Sequence, residues 1–333
     1  MTDDALYLIP KKLDVSALRA SRIDGPVRKL AGETMGTGWS LSFAAREAIA
    51  NAHVIHALDE TFELVIRQTS GWERGSDLCQ FNRADAGWQV LKPEFFAVLS
   101  RAMEIAALSG GAFDPALGGV VDALGFGPGE MDEAVAGASW RGLKLDAEKS
   151  SAFQPGGVQL DLSSIAKGYA VDLCAARLGR LGVGAFLMEI GGEFVGRGVR
   201  PDGQPWRIAL ELSDLAPAPG EPVEISVALP QLAVATSGDF VRRRQTQAGS
   251  ISHLLDGRTG EQAGNGLSGG LSGISVLHAS AMDADGWATA LFALGPEAGL
   301  ALAEQQELAV VFALRTEAGA RFVLSSAAQM MAG

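Results

Sequence analysis

Apolar residues in this chain repeat on two periods, and the two periods are largely segregated along the sequence instead of alternating. Ala48 to Gln68 keeps the helical period, with Val54, Leu58, Phe62 and Val65 on one stripe. Pro93 to Leu108 repeats it, with Pro93 in the first turn and Gly110-Gly111 as a stop. Ile165 to Leu181 is a third helical stretch, and Ser163 or Ser164 is a suitable cap. Thr37 to Ala44 reads as a strand. From Ala185 onward strands come in a run: Ala185 to Ile190, Trp206 to Leu212, Val223 to Leu229 and Leu232 to Ala235. A strand at Ile274 to Ala279, helices at Asp285 to Leu294 and Pro296 to Gln305, and strands near Ala309 to Leu314 and Phe322 to Ser325 complete the pattern. Strands grouped in runs predict an α+β fold and argue against a doubly wound sheet. Gly71 to Asp85 and Ala216 to Gly220 read as loops, Gly118 to Gly129 shows no clear period, and Gly264 to Gly273 reads as a mobile glycine-rich connection.

The 333 residues suit one large domain or two intimately packed subdomains. Residues 1–30 read as an N-terminal extension and 31–330 as the body. A net charge of −12 supplies no basic face for a phosphate backbone, so no nucleic-acid partner is expected. The one tight basic cluster, Arg242-Arg243-Arg244, reads as a solvated turn. Cys79 and Cys174 are too few for a disulfide framework and are expected as free thiols. Met1 to Leu30 carries Asp3, Asp4, Lys11, Lys12, Asp14, Arg19 and Arg22 with no long apolar run. The expectation is a cytoplasmic chain with no membrane segment.

Several segments could carry chemistry. Asp285 and Thr289 stand four apart where a helix opens, so both oxygens share one face. Carboxylate and hydroxyl are hard ligands suited to magnesium or calcium; equally, an Asp there can be a helix cap. Leu160 to Tyr169 is a strand end feeding a helix start, where free N–H groups favour phosphate. Lys167 opposes the helix dipole at that position, which a bound anion would explain and a solvated lysine would also satisfy. Gly110 to Pro115 follows a helix directly, and Asp114 before proline is held extended, able to offer the Ala112 and Phe113 backbone to a flat ligand or to form an ordinary turn. Met35 can lie on an aromatic ring system or fill core. Trp72, a large aromatic in a polar loop, calls for a partner surface or partial burial. His253 could act as a general base or be satisfied by its own loop. His53 and His56 lack a third ligand and read as surface residues. No strand–GxGxxG–helix unit is present, which leaves a dinucleotide dehydrogenase without support.

The order and wording of these segments resemble the FAD:protein FMN transferase family, the ApbE or flavin transferases. The resemblance runs from about Thr34 to about Ala303. It rests on Met35-Gly36-Thr37, Ser76-Asp77 with Phe81-Asn82, Gly111-Ala112-Phe113-Asp114-Pro115 and Asp161 through Gly168. Further on it rests on Ile190-Gly191-Gly192-Glu193, Ala235-Thr236-Ser237-Gly238-Asp239, Ser252-His253 with Thr259-Gly260, and Ala284-Asp285 with Ala288-Thr289. It implies a T-fold-like α+β arrangement of largely antiparallel sheets with flanking helices and a flavin cleft between subdomains. It implies that Met35, Trp72, Ala112, Phe113, Asp114, Asp161, Lys167 and Leu255 line an FAD site. Asp285 and Thr289 would bind magnesium with an oxygen supplied at Ser164, and His253, with Lys167 and Asp285, would serve the chemistry. Two positions depart from the family pattern: Gly257 stands where proline is usual, which is expected to loosen its loop, and Trp72 stands where tyrosine is common.

The function so implied is magnesium-dependent transfer of the FMN half of FAD to a Thr or Ser hydroxyl of an acceptor protein, with release of AMP. The alternatives are an FAD pyrophosphatase yielding FMN and AMP, and a non-catalytic flavin carrier, against which the retention of both Asp285 and Thr289 speaks. A monomer or homodimer is expected.

Overall fold

The computed structural model describes residues 5–11, 16, 18, 22–129, 139–241, 243–246, 249–263 and 270–333. The chain runs β1 (Ala5–Leu8), β2 (Arg28–Thr34), β3 (Thr37–Ala44), α1 (Asn51–Thr69), α2 (Asp77–Asn82), β4 (Gly87–Val90), α3 (Pro93–Leu108), α4 (Gly118–Ala123), β5 (Lys144–Asp146), β6 (Ser151–Gln154) and α5 (Ser163–Arg180). It continues with β7 (Ala185–Ile190), β8 (Glu193–Arg197), β9 (Arg207–Ala209), β10 (Glu224–Ala228), β11 (Gln231–Gly238), β12 (Arg243–Thr246), β13 (Gly249–Ser252) and β14 (Leu271–His278). It ends with α6 (Ala281–Leu294), α7 (Pro296–Gln305), β15 (Ala309–Thr316), β16 (Gly319–Leu324) and α8 (Ser326–Gln329).

An eight-stranded sheet in the order β16-β15-β14-β11-β8-β7-β3-β2 forms the centre, and every neighbouring pair in it is antiparallel. This is the α+β arrangement expected from grouped strands. Both faces of the sheet are covered. On one face Phe43, Phe186 and Met188 meet Val54, Leu58 and Phe62 of α1 and Ala170, Val171 and Cys174 of α5. On the other face Val234, Leu277, Val311 and Ala313 meet Leu8, Ile225 and Val227 of a small sheet, β1-β10-β9. Successive side chains of β15 alternate between the two cores, Val310 and Phe312 to one side and Val311 and Ala313 to the other, as the two-residue period of a strand requires. A second small sheet, β4-β6-β5, carries α2 and α3 with Leu78, Phe81, Phe95 and Leu99 in the largest core cluster.

Several boundaries differ from the sequence expectation. The loop at 71–85 contains α2, which Ser76 caps by accepting the Cys79 N–H at 3.0 Å. Helix α5 has no side-chain cap: its N-cap is Leu162, and the Ser163 hydroxyl turns instead to Asp161. The residues before it form no strand. Leu160 is held by Asn82, which donates to its carbonyl at 2.9 Å and accepts its N–H at 2.8 Å. Residues 5–8 of the stretch set apart as an extension pair in parallel with β10. Arg243 and Arg244 open a strand, not a turn; Arg243 pairs with Asp214 at 3.1 Å and Asp239 at 3.2 Å, while Arg242 lies outside the described residues. Of the glycine-rich stretch 264–273, residues 264–269 lie outside the described residues, and Leu271 already belongs to β14. Both cysteines are free thiols. Among the described residues no helix is long and apolar enough to cross a membrane.

Helix α6 begins four residues before the position expected from the sequence, with Ser280 as its N-cap. Asp285 is therefore no cap. It lies in the second turn of a helix buried on nearly every side, among Ala284, Trp287, Ala288 and Leu291. A carboxylate in such surroundings is costly unless paired, which marks it for a role other than packing.

Candidate active site

The site is built where α5 crosses α6. Gly168 permits the crossing: a Cβ there would stand 2.2 Å from the Ala281 carbonyl oxygen and 2.8 Å from Asp285 Cβ. The Gly168 N–H donates to Asp285 Oδ2 at 3.0 Å. One turn along α5, Asp172 fixes the register of the pair. Its carboxylate accepts the Ala281 N–H at 2.9 Å, the Met282 N–H at 3.0 Å and the Ser280 hydroxyl at 2.6 Å. Two donors left free by the first turn of α6 thus end on a negative charge, the arrangement the helix dipole favours.

Lys167, the neighbour of Gly168, carries its ammonium into the same space. Its Nζ lies 2.8 Å from Glu193 Oε1 and 3.7 Å from Asp285 Oδ1. Glu193 and Asp285 are only 3% and 4% exposed. Burial pushes the Glu193 pKa up, against the pull of Lys167 and with a further push from Asp285. Burial also raises Asp285, opposed by Lys167 and the Gly168 N–H. One ammonium thus faces two buried carboxylates, and Glu193 Oε2 is buried with no hydrogen-bond partner among the described residues. The misfit of Lys167 with the helix dipole is met here by carboxylates of the protein itself.

Thr289 lies one turn beyond Asp285 and faces Ser237 of β11, with their hydroxyl oxygens 3.4 Å apart. Ser164 lies one turn before Gly168 on α5, on the face that meets α6. Among the described residues no trio of His, Cys, Asp or Glu is placed to hold a metal ion. The expected set is of another kind, one carboxylate with hydroxyl or backbone oxygens. These hard donors, with an unpartnered buried carboxylate oxygen beside them, fit a magnesium-type cation.

A second group of predicted residues is gathered around the loop after α3. The Asp161 N–H donates to the Pro115 carbonyl at 2.9 Å, which joins residues 112–115 to the start of α5. Asp161 accepts the Ser163 N–H at 2.8 Å, and burial raises its pKa. Asp114 is buried, accepts the Ala116 N–H at 2.8 Å and the Trp140 N–H at 3.1 Å, and is pushed up to about 6 by desolvation. Ala112 and Phe113 are buried too, and their backbone is engaged: Phe113 N–H donates to Ser109 Oγ at 3.2 Å and Ala112 O accepts the Gly257 N–H at 3.0 Å. The expected loosening at Gly257 is not found. A Cβ there would stand 2.4 Å from the Gly111 carbonyl oxygen, and proline would lack the N–H that Ala112 accepts. Gly257 closes this loop against the Ala112 segment, and Leu255 is buried nearby in the chain.

Met35 occupies a two-residue hairpin turn with φ +50°, followed by Gly36 at +72°. The adjacent hairpin turn, Gly191-Gly192, leads directly into Glu193, and a Cβ on Gly191 would stand 2.7 Å from Thr37 Cγ2. The two turns are therefore side by side at the Glu193 end of the sheet. Trp72 is 67% exposed, in a loop tied down by Ser70 and Ser76. His253 is half-buried, its ring 6.2 Å from that of Phe126. His53 and His56 are exposed on α1, as expected. Sequence reasoning gave no role to Glu193, Asp172, Ser237 or Asn82. Three of these lie within the motif blocks, and a glutamate directly after Gly-Gly at a strand start was the available signal; Asp172 had none. A cavity of about 870 Å³ lies elsewhere, lined by Arg22, Arg46, Glu47 and Leu181 among others, and no predicted site residue borders it.

A model of the ApbE family matches residues 35–312. The FAD:protein FMN transferase of Haemophilus influenzae is 32% identical over 91% of this chain and 91% of its own. That of Vibrio cholerae is 30% identical over 89% of this chain and 90% of its own. The apo crystal structure of Pseudomonas stutzeri flavinyl transferase ApbE superposes with a TM-score of 0.81 at 30% identity, covering 93% of this chain and 98% of that one.

Proposed function

This chain belongs to the ApbE family, and from that premise we propose that it moves the FMN half of FAD to a Thr or Ser hydroxyl of an acceptor protein, releasing AMP, with magnesium held at the crossing of α5 and α6. The observation that carries this reading is Asp285, a carboxylate in the middle of a buried helix, facing Lys167 with Glu193 beside it. Asp285, Thr289 and an oxygen at Ser164 would hold the ion, which when bound supplies positive charge to a pyrophosphate and to the departing AMP.

The residues of the chain do the rest. Lys167 places a second positive charge beside the phosphates. Trp72, with most of its indole in solvent, offers a flat face on which a ring system can stack. Met35, Ala112, Phe113, Asp114, Asp161 and Leu255 would line the flavin site, with the loop at 112–114 braced by Gly257. His253 accepts the proton of the attacking hydroxyl. The new bond joins that oxygen to the FMN-side phosphorus, and the bond to the AMP oxygen breaks.

The test is mass spectrometry of an acceptor protein incubated with the chain, FAD and magnesium. An FMN-sized mass gain on the acceptor with release of AMP is expected. Free FMN with an unmodified acceptor would favour hydrolysis, and bound FAD without AMP would favour a carrier; either contradicts transfer.

A further inference from the structure

Resting on this reading of the site, we propose that Glu193 is a positioning residue that holds the Lys167 ammonium off Asp285, so that Asp285 Oδ1 stays available to a divalent cation. The ammonium is 2.8 Å from Glu193 but 3.7 Å from Asp285. Without the Glu193 charge, the attraction of Asp285 would draw the ammonium onto the oxygen the cation needs. Glu193 is well placed to resist this. It is the first residue of β8, a strand paired on both sides, and it follows a turn at φ +59° and +99°. That turn is pinned by the Gly191 N–H on the Gly38 carbonyl at 3.0 Å and by the Gly192 N–H on Glu189 Oε1 at 2.9 Å. The second oxygen, Glu193 Oε2, is buried and has no hydrogen-bond partner among the described residues. An ammonium has three donors, so when a cation takes Asp285, Lys167 can give a second hydrogen bond to Glu193 without leaving the site. Glu193 thus acts on the cation site through Lys167 and touches no reacting atom.

The experiment is calorimetric titration of Mg²⁺ alone into the full chain, for the wild type, Glu193→Gln, and Glu193→Gln combined with Lys167→Met. Glu193→Gln is expected to weaken Mg²⁺ binding by about tenfold or more, the range for residues that support a metal site from outside it. The double variant is expected to recover most of that loss, because the competing ammonium is gone. In turnover assays Glu193→Gln should lower kcat at limiting Mg²⁺, regain it at high Mg²⁺, and leave the KM for FAD nearly unchanged. Unaltered Mg²⁺ affinity in Glu193→Gln overturns the inference. So does an equal loss in the double variant, which would make Glu193 a direct ligand. A wild-type chain that binds no Mg²⁺ overturns the magnesium reading and the inference with it. If Glu193→Gln melts before binding can be measured, Lys167→Met alone decides: tighter Mg²⁺ binding is expected, and weaker binding contradicts the role given to Glu193.

Discussion

Asp285 Oδ2 accepts the backbone N–H of Gly168 at 3.0 Å, which ties the carboxylate at the heart of α6 to the main chain of α5. A main-chain donor cannot rotate away, so the second oxygen of Asp285 is aimed by the helix crossing itself. The crossing in turn depends on the missing side chain at position 168. Gly168→Ala would place a methyl group 2.2 Å from a carbonyl oxygen, and overpacking of this kind costs about 1–3 kcal/mol. A lowered urea midpoint and a larger loss of turnover than of FAD binding are expected. A variant with wild-type midpoint and turnover would show that the crossing tolerates a wider spacing.

Asp172 sets the same crossing from the other end. Asp172→Ala removes a carboxylate that accepts three hydrogen bonds at the start of α6. The expected loss is about 2–3 kcal/mol of stability, in line with a helix cap reinforced by charge. Asp172→Asn keeps an acceptor oxygen and should lie between the two. Denaturant unfolding of the three proteins checks the order.

Asp114 gives the fold a pH dependence of definite sign. Its folded pKa is pushed up to about 6 from an ordinary value of 3.8. Between those two values the folded chain holds the proton more tightly than the unfolded chain. The contribution to stability is therefore full below the lower value and is lost as pH rises through the upper one. The difference amounts to about 3 kcal/mol at most, at roughly 1.4 kcal/mol per unit. In Asp114→Asn this dependence should vanish, so the stability of the variant relative to wild type should rise from pH 4 to pH 7. Urea titrations across that interval measure it; a flat difference would contradict a carboxylate whose burial outweighs its two N–H donors.

Trp72 separates ligand contact from packing. With two thirds of its surface in solvent, Trp72→Ala should change stability by no more than about 0.5 kcal/mol. If a flavin ring stacks there, the KM for FAD should rise about tenfold, the equivalent of 1.4 kcal/mol, and Trp72→Tyr should restore it. An unchanged KM in Trp72→Ala would remove the residue from the site.

The sequence exposed those parts of the site that local chemistry marks. The spacing of Asp285 and Thr289 put both on one helical face, and Lys167 was conspicuous because it opposed the dipole of its helix. The start of α6 was not legible for the reason that makes the helix important: Asp285, Gly286, Trp287, Ala288 and Ala290 are buried around the whole circumference, so no amphipathic stripe marks where the helix begins. Strands β4, β5 and β6 are three or four residues long, too short for an alternating pattern to stand out. Glu193 and Asp172 act across 26 and 109 residues of chain, on Lys167 and Ala281 respectively, and nothing in their own neighbourhoods records those partners. The bracing of Gly257 against Gly111 and Asp114 is not legible in the sequence either, because a glycine in place of proline suggests freedom until its surroundings are known.

In the function proposed, Asp285 serves the cleavage of the FAD pyrophosphate. Release of AMP from FAD by the wild type and by Asp285→Ala, with magnesium and an acceptor protein present and with the fold of both checked by thermal unfolding, tests it most directly. Loss of about a thousandfold or more in the folded variant is predicted, the scale on which removal of a key electrostatic group acts. A folded Asp285→Ala chain that releases AMP at the wild-type rate would contradict it.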